Sequence, residues 1–285
     1  MSNHIRNMHT GLKPSSTPLT LLVGDSHLNS LNLRQVEEAL GQKARLITPG
    51  AARPREDRAY CSSPDWPGAR YPQNSLQQMV PELLGERKYK NLIMLAPTND
   101  ISNLKEVPSK QERERLAIQS ARNTVKVAEQ ALKSVDQVLI MEQPARVDEM
   151  AELSELSKKK LRELVKSCPL AGKIKIGFSR PDILASSEKK KEVFGRPNDR
   201  GVDGIHMRGT GGKKFLSETV IEAVKFNGLA DQDSRVERGR HSAQGMDDQV
   251  QGWSRVEGGP PSAPRMDAQR SWANLTSNQF YSLSN

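Results

Sequence analysis

A cluster of reactive side chains follows the first apolar run of the sequence. The run LTLLV, residues 19–23, leads into Gly24-Asp25-Ser26-His27. These residues bring a hydroxyl nucleophile, a carboxylate and an imidazole to the end of a predicted strand, a combination suited to nucleophilic or metal-dependent chemistry. The same pattern is typical of an ordinary strand–turn–helix connection, in which the serine caps the helix. The later segments of the chain decide among these three interpretations.

Apolar runs alternate with helical patterns along the chain. Five runs predict strands at Leu19–Val23, Ala44–Thr48, Asn91–Ala96, Val138–Met141 and Lys173–Phe178. Helical periodicity predicts helices at Leu31–Leu40, from Asn74 to Leu84, at Ser109–Ser134, at Met150–Ser167 and over GTGGKKFLSETVIEAVKF, residues 209–226. This alternation is typical of α/β proteins and predicts a three-layer α/β/α sandwich with a mostly parallel five-stranded sheet.

Three residues suited to a binding site lie just past the ends of predicted strands. They are Ser26, Gly50 and Asn99, after the first, second and third strands. In open parallel sheets, sites form beyond the carboxyl ends of the strands. We therefore expect one rim of the sheet to gather these residues.

Four short motifs, taken in order, carry a family resemblance. They are Gly24-Asp25-Ser26, Gly50, Thr98-Asn99-Asp100 and Asp203-Gly204-Ile205-His206. Together they resemble the SGNH, or GDSL-type, hydrolases, a family of esterases, lipases and acetylhydrolases, over residues 20–226. The resemblance implies a flavodoxin-like SGNH hydrolase fold over residues 19–228 and cleavage of a small-molecule or lipid carboxylic ester. It implies neither a cofactor nor a metal.

The resemblance also implies a role for each motif residue. Ser26 is expected to be the nucleophile that forms an acyl-enzyme, and His206 the general base. Asp203 is expected to hold the imidazole tautomer and to balance its positive charge. The oxyanion hole is expected to consist of the N–H groups of Ser26 and Gly50 and the side-chain amide of Asn99.

The motif around Asn99 departs from the family pattern at one position. The family has a glycine two residues before the asparagine, and this chain has Pro97. Because proline lacks an N–H and fixes φ, we expect the turn that presents Asn99 to differ from that of the family.

Each motif also has a purely structural interpretation. Ser26 can cap the first helix, and Gly50 can serve a turn after the second strand. Asn99 and Asp100 can cap a helix, and Asp203 and His206 can form a salt bridge within a loop.

The charge of the chain suggests a second function. Residues 1–228 contain 37 lysines and arginines against 27 aspartates and glutamates, a formal net charge of +10, whereas residues 229–285 have a net charge of −1. The basic runs Lys158–Lys160 and Lys189–Lys191 are expected on solvated faces. A basic surface attracts acidic partners, largely without specificity. The alternative hypothesis is a non-catalytic SGNH-like domain that binds nucleic acid, weakly, or another acidic partner.

A third hypothesis is a metal-dependent phosphoesterase. The pair Asp25 and His27 resembles the Asp-x-His motif with which calcineurin-like phosphatases begin. A two-metal site needs several more aspartate, asparagine and histidine ligands at successive strand ends. The chain has only five histidines. The first aspartate after the second predicted strand is Asp57, well beyond the end of that strand. This hypothesis is therefore the least favoured.

The ends of the chain differ in composition from its centre. Residues 1–18 are expected to be a flexible N-terminus, and residues 229–285 a disordered tail, because both lack apolar periodicity. The tail has a weak 20-residue repeat, in which SRVERGRHSAQGMDDQ from Ser234 recurs as SRVEGGPPSAPRMDAQ from Ser254. Two separated cysteines and no membrane-length apolar run predict a soluble intracellular protein without a transmembrane segment.

Overall fold

The computed structural model describes residues 19–48, 61–69, 72–179, 186–195, 204–207 and 209–229. The predicted flexible segment 1–18 lies outside these residues, as does the predicted tail from residue 230 onward. Leu229, at which the predicted tail begins, is buried against the core. The packed part of the chain therefore includes at least this residue.

Five parallel strands form one sheet with the order β2-β1-β3-β4-β5. The strands are β1 (Leu19–Val23), β2 (Ala44–Ile47), β3 (Tyr89–Leu95), β4 (Gln137–Met141) and β5 (Ile174–Gly177), and every neighbouring pair is parallel. This is the flavodoxin-like doubly wound order, in which the chain changes direction between β1 and β3 and opens a crevice at their carboxyl ends. The predicted α/β fold is confirmed.

Seven α-helices lie within the described parts of the chain. They are α1 (Leu33–Leu40), α2 (Leu76–Glu86), α3 (Thr98–Asn103), α4 (Lys110–Ala131), α5 (Ala151–Ser167), α6 (Ser187–Phe194) and α7 (Gly209–Phe226). Short 3-10 turns cover Ser26–Ser30, Pro72–Asn74 and Leu104–Glu106.

The two faces of the sheet are covered by different helices. Leu21 and Val23 of β1 join a buried cluster with apolar residues of α2, α4 and α5. Leu22, between them, joins a second cluster with apolar residues of α1 and α7. Side chains alternate between the faces of a strand, so β1 is buried on both sides, and apolar residues can follow one another at Leu21, Leu22 and Val23. This packing makes the three layers of the sandwich.

Gly24 allows the chain to turn closely past β3 at the end of β1. A Cβ atom at this position would lie 2.7 Å from Cβ of Leu95 and 2.8 Å from Cδ1 of Leu28. Both distances are shorter than atoms tolerate in a packed interior. The glycine of the Gly-Asp-Ser motif is therefore required by packing, and it brings the next residues to the crevice between β1 and β3.

The observed elements differ from the predicted ones mainly at helix starts. The helix predicted from Leu31 begins at Leu33, after the 3-10 turn of residues 26–30, and Asn32 caps it by accepting a hydrogen bond from the N–H of Gln35. The helix predicted from Asn74 begins at Leu76, with Ser75 at its N-cap position. The helices α3 and α6 were not predicted from the sequence.

Candidate active site

Ser26 and His206 meet at the crevice although 180 residues separate them. Ser26 is the first residue of the 3-10 turn after β1, and its Oγ lies 2.9 Å from Nε2 of His206. Both side chains are half-buried. This distance is within the range of a hydrogen bond between a hydroxyl and an imidazole. The imidazole is thus positioned to accept the hydroxyl proton.

Asp25 connects the end of β1 to its neighbours. Its Oδ1 accepts hydrogen bonds from the backbone N–H of His27, at 3.0 Å, and from the His27 ring at Nδ1, at 2.8 Å. Its Oδ2 accepts one from the backbone N–H of Thr98, at 2.9 Å, the first residue of α3. The carboxylate therefore caps the turn that carries Ser26 and ties it to the segment after β3.

Asp25 and His27 stabilise each other's charged forms. Burial alone would raise the pKa of Asp25, but the charge of His27 and hydrogen bonds from His27 and Thr98 hold this pKa well below its ordinary value. Burial alone would lower the pKa of His27, but the charge of Asp25 and hydrogen bonds to Asp25 and Ile205 raise it above its ordinary value. The two groups form a buried ion pair.

The segment that carries His206 is held from both sides. The carbonyl of Ile205 lies 3.0 Å from Nε2 of His27, and the carbonyl of Gly204 accepts a hydrogen bond of 3.0 Å from the N–H of Val147. Gly204 has a φ of +69°, and a Cβ atom there would lie 2.9 Å from Cγ2 of Val147. Glycine is favoured at this position by both its conformation and its packing. Met207, on the other side of His206, is buried.

The loop after β4 supports this segment. Arg146 is almost fully buried and binds Asp148 through Nε and Nη2, at 2.7 and 2.6 Å. Its Nη2 also lies 3.4 Å from the hydroxyl of Ser102 in α3. The loop that contains Arg146 and Val147 therefore contacts both α3 and the segment of His206.

Asn99 lies in the first turn of α3 between two anchored residues. Thr98 is bound to Asp25, and Asp100 accepts hydrogen bonds from the N–H of Ser62, at 2.9 Å, and from the hydroxyl of Ser120, at 2.6 Å. Asn99 itself is half-buried. It therefore lies at the same rim as Ser26, which follows Asp25.

Pro97 is compatible with the turn that precedes α3. It has a φ of −70°, an ordinary value for proline, and occupies the N-cap position of this helix. Its carbonyl accepts a hydrogen bond of 3.0 Å from the side-chain amide of Gln143, which accepts one from the hydroxyl of Ser154 at 2.9 Å. The turn at Pro97 is therefore stabilised by a side chain that follows β4 and, through it, by a side chain of α5.

Asp100→Asn is expected to remove a pH dependence of stability. Burial raises the pKa of Asp100 to about 6, from an ordinary value of 3.8, although its hydrogen bonds act in the opposite direction. A raised carboxyl pKa contributes stability below the unfolded value, and this contribution is lost as the pH rises through about 6. Relative to the variant, the wild type should lose up to about 3 kcal/mol of its free energy of unfolding between pH 4 and pH 7.

Urea denaturation at several pH values measures this difference. Asp65→Asn is the matched control, because Asp65 is exposed. Parallel pH profiles for the wild type and Asp100→Asn would contradict the assignment of a neutral buried carboxyl to the folded state below pH 6.

Two predicted site residues lie outside the described residues. These are Gly50 and Asp203, so their predicted roles remain predictions. Ser26, Asn99 and His206 are described and lie at the same rim. The sequence hypotheses included His27 as the imidazole of the opening cluster and as the histidine of an Asp-x-His metal motif, and its contact with the segment of His206 was not predicted. The spacing of Asp25 and His27, typical of an aspartate that caps its own turn, was the available signal.

The metal-site interpretation of Asp25 and His27 is disfavoured by their contacts. Each side chain has its polar atoms directed to the other or to Thr98 and Ile205. Over the described ranges, no group of three or more histidine, cysteine, aspartate or glutamate side chains is arranged to hold a metal ion.

The helices that the structure describes include none with the length and apolarity needed to cross a bilayer.

The chain is similar to several solved structures at low sequence identity. Similar solved structures include the catalytic domain of peptidoglycan O-acetyltransferase A from Streptococcus pneumoniae, at 15% identity and a TM-score of 0.45, covering 74% of this chain and 94% of that one. An acetylxylan esterase from Geobacillus stearothermophilus is 10% identical, with a TM-score of 0.46, and the match covers 78% of this chain and 100% of that one. A carbohydrate acetylesterase family member from Sinorhizobium meliloti is 12% identical, with a TM-score of 0.48, and the match covers 74% of this chain and 99% of that one. No protein-family model and no curated protein matches the chain.

Proposed function

We propose that this chain is a serine-dependent hydrolase that cleaves a carboxylic ester through an acyl-enzyme on Ser26. The observation that carries the proposal is the 2.9 Å distance between Oγ of Ser26 and Nε2 of His206. The pair lies at the crevice where doubly wound sheets bind ligands. A serine hydroxyl becomes an effective nucleophile when a neighbouring imidazole accepts its proton.

The reaction follows from this arrangement. Oγ of Ser26 attacks the ester carbonyl carbon while its proton passes to Nε2 of His206. The tetrahedral intermediate then expels the alcohol, which takes the proton from His206, and the acyl group stays on Ser26. A water molecule, deprotonated by His206, attacks the acyl-enzyme and releases the carboxylic acid and the free serine.

The remaining roles follow the same scheme. The N–H of Ser26, at the start of its turn, has no acceptor among the described residues and would donate to the oxyanion. The amide of Asn99, at the same rim, and the N–H of Gly50 would complete the oxyanion hole. Asp203 would orient the ring of His206.

Covalent labelling tests the proposal directly. A fluorophosphonate should label the wild type at Ser26, as located by peptide mass spectrometry, and Ser26→Ala should not be labelled. Hydrolysis of a short-chain aryl ester should be lost in the same variant, because the acyl-enzyme cannot form. Ser30→Ala is the matched control, since Ser30 lies half-buried in the same 3-10 turn. It should keep both labelling and turnover.

Two outcomes would overturn the proposal. One is hydrolysis by Ser26→Ala at the rate of the wild type. The other is a wild type that neither reacts with the probe nor hydrolyses esters, combined with binding to nucleic acid that persists in Ser26→Ala. The second result would favour the non-catalytic alternative.

A further inference from the structure

The ring of His27 is buried against the ring of His206. Their centroids lie 5.0 Å apart, and the planes are nearly parallel, with an angle of 11° between them. His27 is 4% exposed, so solvent does not separate it from its neighbours. The mechanism proposed above does not use this second imidazole.

Both ring nitrogens of His27 face hydrogen-bond acceptors. Nδ1 lies 2.8 Å from Oδ1 of Asp25, and Nε2 lies 3.0 Å from the carbonyl oxygen of Ile205. A backbone carbonyl can only accept, and an ionised carboxylate can only accept. Satisfying both contacts requires a proton on each nitrogen, which makes the ring a cation.

We propose that His27 is a buried cationic positioning residue for His206. It holds the segment of His206 in place through the hydrogen bond from its Nε2 to the Ile205 carbonyl, and its ring supports the ring of His206 by stacking. The inference rests on the proposed function in that it takes His206 to be the general base.

The charges around His27 support its cationic form. Asp25 supplies the compensating negative charge, and the Thr98 hydroxyl lies 3.5 Å from Nδ1. The positive charge of Arg146 acts against protonation of His27, but Arg146 is itself paired with Asp148 through two hydrogen bonds. The carboxylate in direct contact therefore outweighs the charge of Arg146.

The charge of His27 fixes the direction of its hydrogen bonds. A protonated ring donates from both nitrogens at once, so Nε2 donates to the Ile205 carbonyl while Nδ1 donates to Asp25. A charge-assisted hydrogen bond is stronger than one between neutral groups, so His27 restrains the segment that holds His206 within 2.9 Å of the Ser26 hydroxyl.

The protonation states can be measured without any substrate. In protein labelled with ¹⁵N-histidine, both ring nitrogens of His27 should show the shifts of an imidazolium at neutral pH. Replacing His27 with phenylalanine keeps a stacked ring but removes its charge, and replacing it with glutamine keeps a hydrogen-bond donor. In folded His27→Phe, the segment of His206 loses the donor to the Ile205 carbonyl, whereas His27→Gln can supply one.

Kinetics provide the second readout. The value of kcat/KM for the aryl ester should fall by about 10-fold in His27→Phe and recover in large part in His27→Gln, a rescue that loss of packing alone would not produce. The Lys110→Gln control removes an exposed charge on α4 and should leave kcat/KM unchanged.

The outcomes separate this inference from the proposed function. A His27 ring that is neutral at pH 7, or a folded His27→Phe that is as active as the wild type, would overturn the inference even if Ser26 is labelled. Conversely, a cationic His27 in a protein that does not react with a fluorophosphonate would uphold its charge state and reject the esterase.

Discussion

Replacing His206 with alanine is expected to lower kcat/KM for a short-chain aryl ester by about 10³- to 10⁴-fold. The imidazole is the proton acceptor within 2.9 Å of the Ser26 hydroxyl, and its loss leaves a neutral alcohol as nucleophile. Steady-state hydrolysis of the aryl ester near neutral pH measures this effect. The variant should retain the fold, because His206 is half-buried at the rim rather than in the core.

The double variant gives a sharper test of the same assignment. Residues that act as one catalytic unit are strongly non-additive, so Ser26→Ala combined with His206→Ala should be no slower than Ser26→Ala alone. The matched control is His241→Ala, in the segment that the sequence predicts to be a tail, and it should match the wild type. Effects that multiply in the double variant would show that the two residues act independently, and would contradict the proposed mechanism.

The elements of the sheet could be predicted because burial is periodic in the sequence. The run Leu21–Val23 is apolar at every position because both faces of β1 are covered. The helix predicted over residues 209–226 matches α7. Its apolar positions recur with the period of a helix that packs on one face. Patterns of this kind depend only on neighbouring residues, and they do not require knowledge of the tertiary structure.

The helix α3 could not be predicted in the same way. Its six residues, TNDISN, are mostly polar and too few to show a helical period. Tertiary contacts stabilise it, through Thr98 to Asp25 and through Asp100 to Ser62 and Ser120. The helix α6 was not predicted because six polar residues, three of them lysines, precede its two buried apolar residues, Val193 and Phe194. Two adjacent apolar residues show no helical period.

Lysine runs also misled the prediction of the surface. The run Lys158–Lys160 was expected on a solvated face, and this was wrong for Lys158, whose side chain is 1% exposed. Its Nζ binds Glu155 at 2.7 Å, and Glu155 is itself exposed. A lysine can bury its aliphatic stem while its ammonium reaches a partner at the edge. The number of lysines in a run therefore overstates the charge that a face presents.

The candidate site could be predicted in part from the motifs. Their order placed Ser26 and Asn99 at strand ends, and a parallel sheet brings such ends to one rim. The contact between His27 and the Ile205 carbonyl spans 178 residues and depends on how the segment after residue 203 folds back. No local pattern encodes that contact, so the stacked pair of histidines becomes apparent only in the folded chain.

Asp25→Ala is expected to lower the free energy of unfolding by about 3–5 kcal/mol, because the change removes one partner of a buried ion pair. The carboxylate accepts hydrogen bonds from the N–H of His27, from the His27 ring and from the N–H of Thr98. Alanine leaves the His27 ring without its compensating charge. It also releases the turn that carries Ser26 from α3.

The pH dependence of this loss distinguishes the ion pair from simple packing. The pKa of Asp25 is lowered, so its contribution is present above the unfolded value near 3.8 and is lost as the pH falls towards the folded value. The pKa of His27 is raised, so its contribution is present below the unfolded value near 6.5 and is lost as the pH rises through the folded value. The difference between the wild type and Asp25→Ala should therefore be largest between about pH 4 and pH 6.5.

Urea denaturation of the wild type, Asp25→Ala and the exposed-site control Asp65→Ala, at several pH values, measures the difference. The control should follow the wild type at every pH because Asp65 is exposed. A loss in Asp25→Ala that is the same at pH 3, 5 and 9 would mean that the carboxylate acts only by filling space. In that case the ion pair would not stabilise the turn of Ser26, and the cationic form of His27 would lose its main support.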